Sequence, residues 1–505
     1  MIAAVTLAAR LPFLVRSEQF FDSDEAVEGL MARHVPGERP IFMWGQNYKG
    51  VPEVYVAAAI FEIVGPSAAA LKAATLLFFI AFAGVQFVLL ETLFSRAVAW
   101  LATLFLILGP PVLVYWSLSG SAEIAVTLFA GSVMMLAAER WSRTRSPAAL
   151  AVACGAAGFG VWVQQFIVYY IVAMTIAAGW VRRRNQGWSA VDVLLVPALL
   201  YVCFGAIAFF TGGFDLPAGI GLHHPQKMWR LAAVFLGVWA AARGLASLSA
   251  RERLSAVAGF VIGYAPAIAF RLTGGGGLPP LARMDVRELL GVLSATRAVP
   301  MLSGFAGPAS DSLPVPEALA LLMLASIAVS YAALWRTKTP RVFHVFLIST
   351  PIIALASGAF SNLQSYRHLM PLFAALPVLY AHGVTVTWGW NRVVGATLVI
   401  GLLLTFAAQQ RAWIRTLGPD RQTQAVLDCL RTQHVRLAYA DYWLSYKLTF
   451  LADEQVIVAP NDGFDRYPPY TDRLRASGRV PTITRPAGPH PEAVPCNRVL
   501  SYAGG

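Results

Sequence analysis

One apolar run decides the fold of this chain: Ser67-Ala-Ala-Ala-Leu-Lys-Ala-Ala-Thr-Leu-Leu-Phe-Phe-Ile-Ala-Phe-Ala-Gly-Val-Gln-Phe-Val-Leu-Leu-Glu91. Of its 25 residues, only Lys72 and Glu91 are charged. An α-helix rises about 1.5 Å per residue, so the run would measure about 37 Å, more than the roughly 30 Å hydrocarbon core of a bilayer. The run therefore predicts a transmembrane helix.

Comparable stretches recur through most of the 505 residues, of which 57% are hydrophobic and 13% charged. An ordinary soluble domain has about twice that charged share. The apolar stretches lie at about 1–15, 67–91, 97–117, 121–140, 148–164, 166–181, 190–210, 229–247, 254–271, 315–335, 341–360, 368–387 and 392–409. We therefore predict an all-α polytopic membrane protein with about thirteen spans.

The basic residues indicate the orientation of these spans. Although the net charge is +12, Lys and Arg form short runs between apolar stretches, a pattern that argues against nucleic acid as a partner. With the amino terminus inside, the basic runs fall in cytoplasmic loops, as expected for membrane proteins. The same alternation places the long polar segments 16–66, 211–228 and 272–314, and everything after about residue 410, on the outer face. We expect the function to lie there.

The chain divides near residue 410. Residues 1–409 are expected to form the transmembrane domain, with 16–66 as its first outer loop. Residues 410–505 are more polar and contain short β-like runs, which predicts a small extracytoplasmic α/β domain. In an oxidising compartment Cys429 and Cys496 could form one disulfide, or they could remain two free thiols.

The first predicted span is short. Residues 1–15 would reach only about 22 Å as a helix, less than the bilayer core. Either this helix is tilted or further residues precede it, and a cleaved signal peptide is the competing interpretation.

The first outer loop begins with an acidic segment, Phe20-Phe-Asp-Ser-Asp-Glu-Ala-Val-Glu-Gly-Leu-Met-Ala-Arg-His34. Asp22 and Glu25 have the spacing of a capping box, and the apolar residues that follow form one stripe. We therefore expect an amphipathic helix along the membrane surface. It would hold Asp24 and Glu25 where partial desolvation raises a carboxylate's pKa, so each is a candidate general base. Helix capping is the alternative role, and it is favoured for Asp22.

Two groups of polar residues could bind a phosphate. Tyr48 and Lys49 lie just before the chain re-enters lipid, although a lysine there could also simply snorkel to the interface. Arg367 and His368 lie at the outer start of the twelfth predicted span. An arginine on that side runs against the usual charge bias, and both side chains suit a phosphate-bearing ligand.

Glu123 lies at the outer end of the fourth predicted span without a basic neighbour in sequence. An ionisable group at the membrane is costly and points to function. If the first and fourth helices border one cavity, Asp24 and Glu123 could hold Mg²⁺ or Mn²⁺, or share in activating an acceptor. Glu53 is a second candidate for either role. For the adjacent His223 and His224, a plain polar loop is favoured over metal binding.

Several of these segments resemble the membrane glycosyltransferases of the GT-C class, in particular the bacterial family-39-like branch related to protein mannosyltransferases. The resemblance is carried by residues 22–32, 45–50, 65–67, 119–123, 366–371 and 442–450. It departs from the family in the short first span, in Ser119-Gly-Ser-Ala122 where Gly-Gly-Tyr is usual before the glutamate, and in the small carboxyl-terminal domain.

The resemblance implies a GT-C-like fold and transfer of a hexosyl or pentosyl group from a polyprenyl-phosphate carrier to a glycan, lipid or protein acceptor. The reaction would occur on the outer face of the bacterial plasma membrane. The general base falls on Asp24, and Glu123 matches the second acidic position. Lys49 and Arg367 would stabilise the phosphate leaving group. Relatives differ in their need for a divalent ion, so metal dependence stays open.

Two other functions compete with this one. A transporter or flippase of lipid-linked sugars would also have many helices and a few charges at membrane depth. The long polar first loop and the lack of an internal repeat argue against it. A non-catalytic scaffold would leave Asp24 and Glu123 without purpose.

Overall fold

The protein is a helical bundle followed by a smaller region that mixes helices and strands. The computed structural model describes residues 1–216, 220–222, 225–245, 248–275, 341–356, 363–478, 480–486 and 494–501. The helices of the bundle are α1 (Ile2–Leu14), α2 (Ser23–Glu38), α3 (Pro52–Val64), α4 (Ala68–Leu93), α5 (Arg96–Ile107), α6 (Pro111–Trp116), α7 (Ile124–Thr144), α8 (Pro147–Val163), α9 (Ile167–Gln186), α10 (Leu195–Thr211), α11 (Pro225–Leu245), α12 (Ala250–Leu272), α13 (Arg341–Ala356), α14 (Leu376–Trp390) and α15 (Arg392–Thr416). Short 3₁₀ helices cover Ser17–Phe20, Ala190–Leu194 and Leu363–Ala374.

Capping residues explain where several of these helices begin. Ser67, Ser95 and Ser146 each accept a hydrogen bond from a backbone N–H in the first turn of α4, α5 and α8. Those N–H groups have no partner within the helix, so the serine oxygen stabilises each start. The deciding apolar run becomes α4, which packs against α3, α5 and α7 at the centre of the bundle.

The structure supports a multi-pass membrane protein. Among the described residues, five helices are long and apolar enough to cross a bilayer, or six if the bent pair Arg367–Ala374 and Leu376–Trp390 forms one span. Shorter apolar helices, including α1, α5 and α8, accompany them. The number thirteen stays a prediction, since the expected span at 315–335 lies outside the described residues.

The apolar stretch at 97–117 is one helix in prediction but two in the structure. Pro110–Pro111 has no N–H to donate, so α5 ends before it and α6 starts at the second proline. Arg10 of α1 fills the gap, because its Nη1 donates to the Ile107 carbonyl at 2.6 Å and its Nε donates to the Ser117 hydroxyl at 2.7 Å. This fully buried arginine satisfies the carboxyl end of α5 and ties α1 to the break.

Two β-hairpins interrupt the bundle. Strands β1 (Phe42–Met43) and β2 (Gln46–Gly50) pair between α2 and α3, inside the first loop. Strands β3 (Phe214–Leu216) and β4 (Ile220–Leu222) pair after α10. The first hairpin carries Lys49 towards α2.

The region after α15 contains a four-stranded sheet with helices. Its elements are α16 (Arg421–Thr432), β5 (Leu437–Ala440), α17 (Tyr442–Leu451), β6 (Ile457–Pro460), α18 (Pro468–Ala476), β7 (Thr482–Ile483), α19 (Cys496–Val499) and β8 (Leu500–Ser501). The strand order is β6-β5-β7-β8, with β5 parallel to β6 and β7, and β8 antiparallel to β7. A disulfide between Cys429 and Cys496, which the sequence left open, joins α16 to α19.

This carboxyl-terminal region packs directly on the first loop through α17 and α2. The contact is close, because a Cβ added at Gly29 would lie 2.5 Å from a ring carbon of Phe450. Glu454 accepts a second set of contacts from α2, at 3.1 Å from Arg33 Nε and 2.9 Å from His34 Nε2. The candidate site is therefore built between the bundle and the carboxyl-terminal region.

Candidate active site

Helix α2 holds Asp24, Glu25 and Glu28 in its first two turns, and Asp22 precedes them. Asp22 caps it as predicted, accepting the backbone N–H of Glu25 at 2.9 Å. The expected surface helix is wrong in one respect: residues 25–32 are all buried, because the bundle covers one side of α2 and the carboxyl-terminal region the other. Burial and the neighbouring Asp24 raise the pKa of Asp22 to about 6. Because residues 25–32 are buried, the carboxylates of Glu25 and Glu28 need hydrogen-bond or charged partners.

Glu25 lies in a buried ion pair with Lys72 of α4. Lys72 Nζ is 2.6 Å and 2.8 Å from the two carboxylate oxygens, and it also lies 4.1 Å from the centre of the Phe20 ring. Burial raises the pKa of Glu25, while the charge and hydrogen bonds of Lys72 lower it and favour the ionised carboxylate. The predicted role of Glu25 as a base stays untested, but both oxygens are occupied by the lysine, which favours a supporting role.

Glu28, one turn further along α2, pairs with Lys49 of the first hairpin. Lys49 Nζ lies 2.5 Å from Glu28 Oε1 and donates to the Ser121 carbonyl at 2.8 Å. Although burial disfavours its charge, the pKa of Lys49 is raised by Glu28, Glu123 and Asp24. These three acids therefore act on one ammonium group, so the structure brings the predicted Asp24, Lys49 and Glu123 into one electrostatic environment.

Two further acids complete a buried cluster behind Lys49. Glu53 accepts a hydrogen bond from the Thr75 hydroxyl at 2.6 Å, and neither oxygen of Glu123 has a hydrogen-bond partner among the described residues. Burial, with the charge of Glu28 adding to it, raises the pKa of Glu53 to about 8. Burial and Glu53 raise the pKa of Glu123 well above its usual range. Burial therefore favours the uncharged form of both carboxyl groups.

Gly120 allows these carboxylates to approach one another. A Cβ at this position would lie 2.5 Å from Glu28 Oε2 and equally close to Glu53 Oε2. Because any side chain would displace both acids, the glycine in the Ser119–Glu123 segment is a requirement of the cluster.

Asp24 is the acid that reaches the edge of the site. Its side chain is 24% exposed, whereas Glu25, Glu28, Glu53 and Glu123 are each at most 1% exposed. A general base has to come within hydrogen-bond reach of the acceptor's proton. Of these five carboxylates, Asp24 is therefore the one placed to contact a substrate.

The carboxyl-terminal region holds Asp24 in place. The Tyr442 hydroxyl donates to Asp24 Oδ1, and Arg466 Nη2 lies 3.9 Å from the same oxygen. The guanidinium of Arg466 also donates to the Tyr442 oxygen at 3.3 Å, with its carbon 5.5 Å from the centre of that ring. With its amide oxygen turned towards Arg466, Gln46 accepts from both terminal nitrogens at 2.8 and 2.9 Å. Burial and Asp24 raise the pKa of Tyr442, so its hydroxyl stays a donor.

Sequence reasoning missed Glu28, Lys72, Tyr442 and Arg466. Glu28 follows Glu25 by three residues on the same helix, a spacing that places both on one face. Lys72 is one of two charges in the apolar run, and such a charge needs a partner. Tyr442 lies in the segment 442–450 that carries the resemblance, but nothing there indicates a contact with Asp24, and Arg466 carries no comparable signal. The roles of both depend on how the carboxyl-terminal region docks.

The predicted phosphate-binding residues lie in two elements of the structure. Tyr48 is half-buried in β2, beside Lys49. Arg367 and His368 lie in the 3₁₀ helix Leu363–Ala374, where the His368 ring packs edge-to-face on Phe166 at 5.0 Å. Their role stays a prediction, and His223 and His224 lie outside the described residues.

The donor set fits a divalent cation poorly. In the described part of the chain, no three or more His, Cys, Asp or Glu side chains are arranged to hold a metal ion. Within the described ranges neither oxygen of Glu123 has a hydrogen-bond partner, but the neighbouring positive charge of Lys49 would repel a cation. The metal site predicted at Asp24 and Glu123 stays a prediction.

Comparison with known proteins identifies the fold. No protein-family model matches the chain, and no curated protein matches its sequence. The structure of ArnT from Cupriavidus metallidurans bound to undecaprenyl phosphate matches with a TM-score of 0.53 at 12% identity, over 95% of this chain and 92% of that one. The apo oligosaccharyltransferase of Archaeoglobus fulgidus gives a TM-score of 0.48 at 13% identity, over 96% and 69%. The likeness to ArnT shows the GT-C fold that the sequence motifs predicted, without reaching the family-39-like branch.

Proposed function

We propose that this protein is a membrane glycosyltransferase that moves a sugar from a polyprenyl-phosphate carrier to an acceptor hydroxyl on the outer face of the bacterial plasma membrane. The observation that carries the proposal is the placement of Asp24, the partly exposed carboxylate at the edge of a buried cluster of acids and lysines. A fold shared with a protein that binds undecaprenyl phosphate supports the class of donor.

In the proposed reaction Asp24 takes the proton of the acceptor hydroxyl. The acceptor oxygen then forms a bond to the anomeric carbon, and the bond from that carbon to the phosphate oxygen breaks. The polyprenyl phosphate leaves with an additional negative charge. Arg466, 3.9 Å from Asp24 and 18% exposed, is a cation beside the reacting groups and can interact with that charge.

The buried acids affect this reaction through the net charge that they place near the donor phosphate. Burial raises the pKa of Glu53 to about 8 and raises that of Glu123 in the same direction, which favours the uncharged form of both carboxyl groups. Glu25 and Glu28 are each paired with a lysine. The cluster therefore adds little net negative charge near a phosphate donor, which would otherwise be repelled.

The test is transfer by the purified full-length chain, with radiolabelled polyprenyl-phosphate sugars as donors and cell-envelope lipid and glycan fractions as acceptors. Asp24→Asn keeps the shape of the side chain and removes its basicity, so we expect transfer to fall by about a hundredfold or more while donor binding persists. Asp428→Asn is the matched control, since this aspartate is 69% exposed on α16.

Release of polyprenyl phosphate separates this function from that of a flippase. A transferase breaks the bond between sugar and phosphate, whereas a flippase in vesicles would expose the intact lipid-linked sugar. Full transfer by Asp24→Asn would remove Asp24 from the mechanism, and movement of intact donor without cleavage would replace the proposed function by the flippase.

A further inference from the structure

A polar cavity opens on the carboxyl-terminal region along α17, the helix that begins with Tyr442. It encloses about 70 Å³ between the start of α16 and the exposed side of α17. Its polar walls are formed by Asp420, Gln422, Thr423, Trp443, Lys447 and Arg485. The space admits several water molecules, or the hydroxyl-bearing edge of one ring of a ligand.

The charges around this cavity cancel in pairs. Lys447 Nζ lies 2.6 Å from Asp420 Oδ2, and Arg485 Nη2 lies 2.9 Å from Asp441 Oδ1. A phosphate or carboxylate ligand would have to compete with these two aspartates for the cations. A neutral ligand with many hydroxyl groups needs no such exchange, because the same walls offer both donors and acceptors.

One wall of the cavity is aromatic and accessible. Trp443 is 49% exposed and lines the cavity. An indole face packs against the C–H groups of a sugar ring, while polar neighbours bind its hydroxyls. An accessible tryptophan beside polar groups whose charges are paired is therefore suited to binding a saccharide.

The cavity lies beside the groups that hold Asp24. Trp443 follows Tyr442 in the chain, with the two ring centres 5.2 Å apart, and Tyr442 donates its hydroxyl to Asp24. On another side of the Tyr442 ring lies Phe464, which is 66% exposed at a centre distance of 6.1 Å. Accessible aromatic rings thus flank the residue that contacts the base.

We propose that this cavity, with Trp443 as its platform, binds one sugar ring of a neutral oligosaccharide acceptor whose terminal hydroxyl is directed to Asp24. The inference rests on the proposed function and adds the class of its acceptor. In this proposal the carboxyl-terminal region has two roles. It holds the base, and it binds the molecule that the base deprotonates.

The direct test is calorimetric titration of the full-length protein in detergent with neutral hexasaccharides of glucose, mannose, galactose and arabinose. We expect at least one to bind, and Trp443→Ala to weaken that binding by about tenfold or more, the effect of losing an aromatic stacking contact. Gln422→Ala, which removes an exposed amide from the wall, should weaken it by a smaller factor. Trp390→Ala is the matched control, because Trp390 is 80% exposed at the end of α14 and away from the cavity.

Saccharide binding and sugar transfer are measured separately, so failure of the acceptor site can be distinguished from failure of the proposed glycosyltransferase. If saccharide binding depends on Trp443 but the protein breaks no donor bond, the cavity is a saccharide-binding site and the transferase, with the acceptor role of the cavity, is wrong. If transfer occurs and Trp443→Ala leaves the KM for its acceptor unchanged, or if none of the four saccharides binds, the acceptor site is wrong. Transfer to a peptide or a lipid that is equally efficient in Trp443→Ala would also overturn it.

Discussion

The Tyr442 hydroxyl donates a hydrogen bond to the Asp24 carboxylate, although the two residues are 418 positions apart in the chain. Ser23, the neighbour of Asp24, donates its hydroxyl to the Tyr442 carbonyl at 2.6 Å. The amino end of α2 and the amino end of α17 are therefore joined twice. The proposed base is fixed from the carboxyl-terminal region, so the transmembrane bundle alone does not form a complete site.

Removing this hydroxyl should slow the reaction without unfolding the protein. In Tyr442→Phe the ring keeps its packing, but Asp24 loses a donor that fixes its orientation. We expect kcat to fall by about ten- to a hundredfold with little change in the KM for the donor, as is typical of lost positioning. Steady-state kinetics of the purified variant measure this split.

Tyr55→Phe is the control, since it also deletes one hydroxyl. The Tyr55 hydroxyl donates to the Pro40 carbonyl at 2.9 Å and makes no hydrogen bond to the acid cluster among the described residues. An unchanged kcat in both variants would show that Asp24 does not depend on Tyr442.

Local signals in the sequence predicted the local structure. The capping residue Asp22 starts α2, and the run at 67–91 becomes α4 with its boundaries shifted by two residues at most. Glu25 is a case in which a local sequence signal did not predict the contact of the side chain. Its spacing fits a capping box, but its carboxylate contacts Lys72 instead. Once α4 packs against α2 the carboxylate is buried, and a buried charge needs an oppositely charged partner.

Contacts between distant segments could not be predicted in this way. Each of Asp24, Lys49, Glu53 and Glu123 was a candidate from its own surroundings, but their convergence depends on a hairpin, two helices and a loop meeting in space. Arg466 had no signal at all, since nothing in a short polar segment indicates which carboxylate it will face.

Gly120 should be intolerant of any side chain. In Gly120→Ala the new methyl group would meet two carboxylate oxygens at 2.5 Å, so Glu28 or Glu53 has to move and the contact with Lys49 is strained. We expect a loss of about 1–3 kcal/mol in stability, as for an overpacked core, together with reduced transfer.

Thermal unfolding in detergent measures the stability, and Gly84→Ala is the matched control. Gly84 lies within α4 and a Cβ there would meet nothing within 4 Å, so the alanine should be neutral or stabilise the helix by about 0.5–1 kcal/mol. Equal effects of the two substitutions would contradict the close approach of the acids at Gly120.

The disulfide should stabilise the carboxyl-terminal region. It joins Cys429 to Cys496, which are separated by 67 positions, and the loss of such a link costs about 2–4 kcal/mol in typical domains. Cys429→Ser should therefore make this region sensitive to proteolysis under conditions where the intact protein resists. Cys203→Ser, at an exposed free cysteine, is the control and should have no effect. Alkylation of Cys429 and Cys496 without reduction would show that the bond does not form.

The buried Glu53 should make stability depend on pH. Its pKa is raised from the usual 4.5 to about 8, mainly by burial and then by the charge of Glu28. Between these two values the folded protein holds a proton that the unfolded chain has released, so stability falls as the pH rises from about 4.5 to about 8. Glu53→Gln cannot ionise but can still accept from Thr75. We expect it to raise the stability by about 1–3 kcal/mol at pH 8, with little change at pH 5.

Unfolding followed from pH 5 to pH 9 gives this dependence. Glu62→Gln is the matched control, because Glu62 is exposed on the same helix α3, and it should reproduce the slope of the unmodified protein. A Glu53→Gln variant whose stability falls with pH as steeply as that of the unmodified protein would mean that Glu53 is already ionised in the folded state. The proposal that the buried acids are neutral beside the phosphate donor would then be wrong, because Glu53 would add a full negative charge behind Lys49.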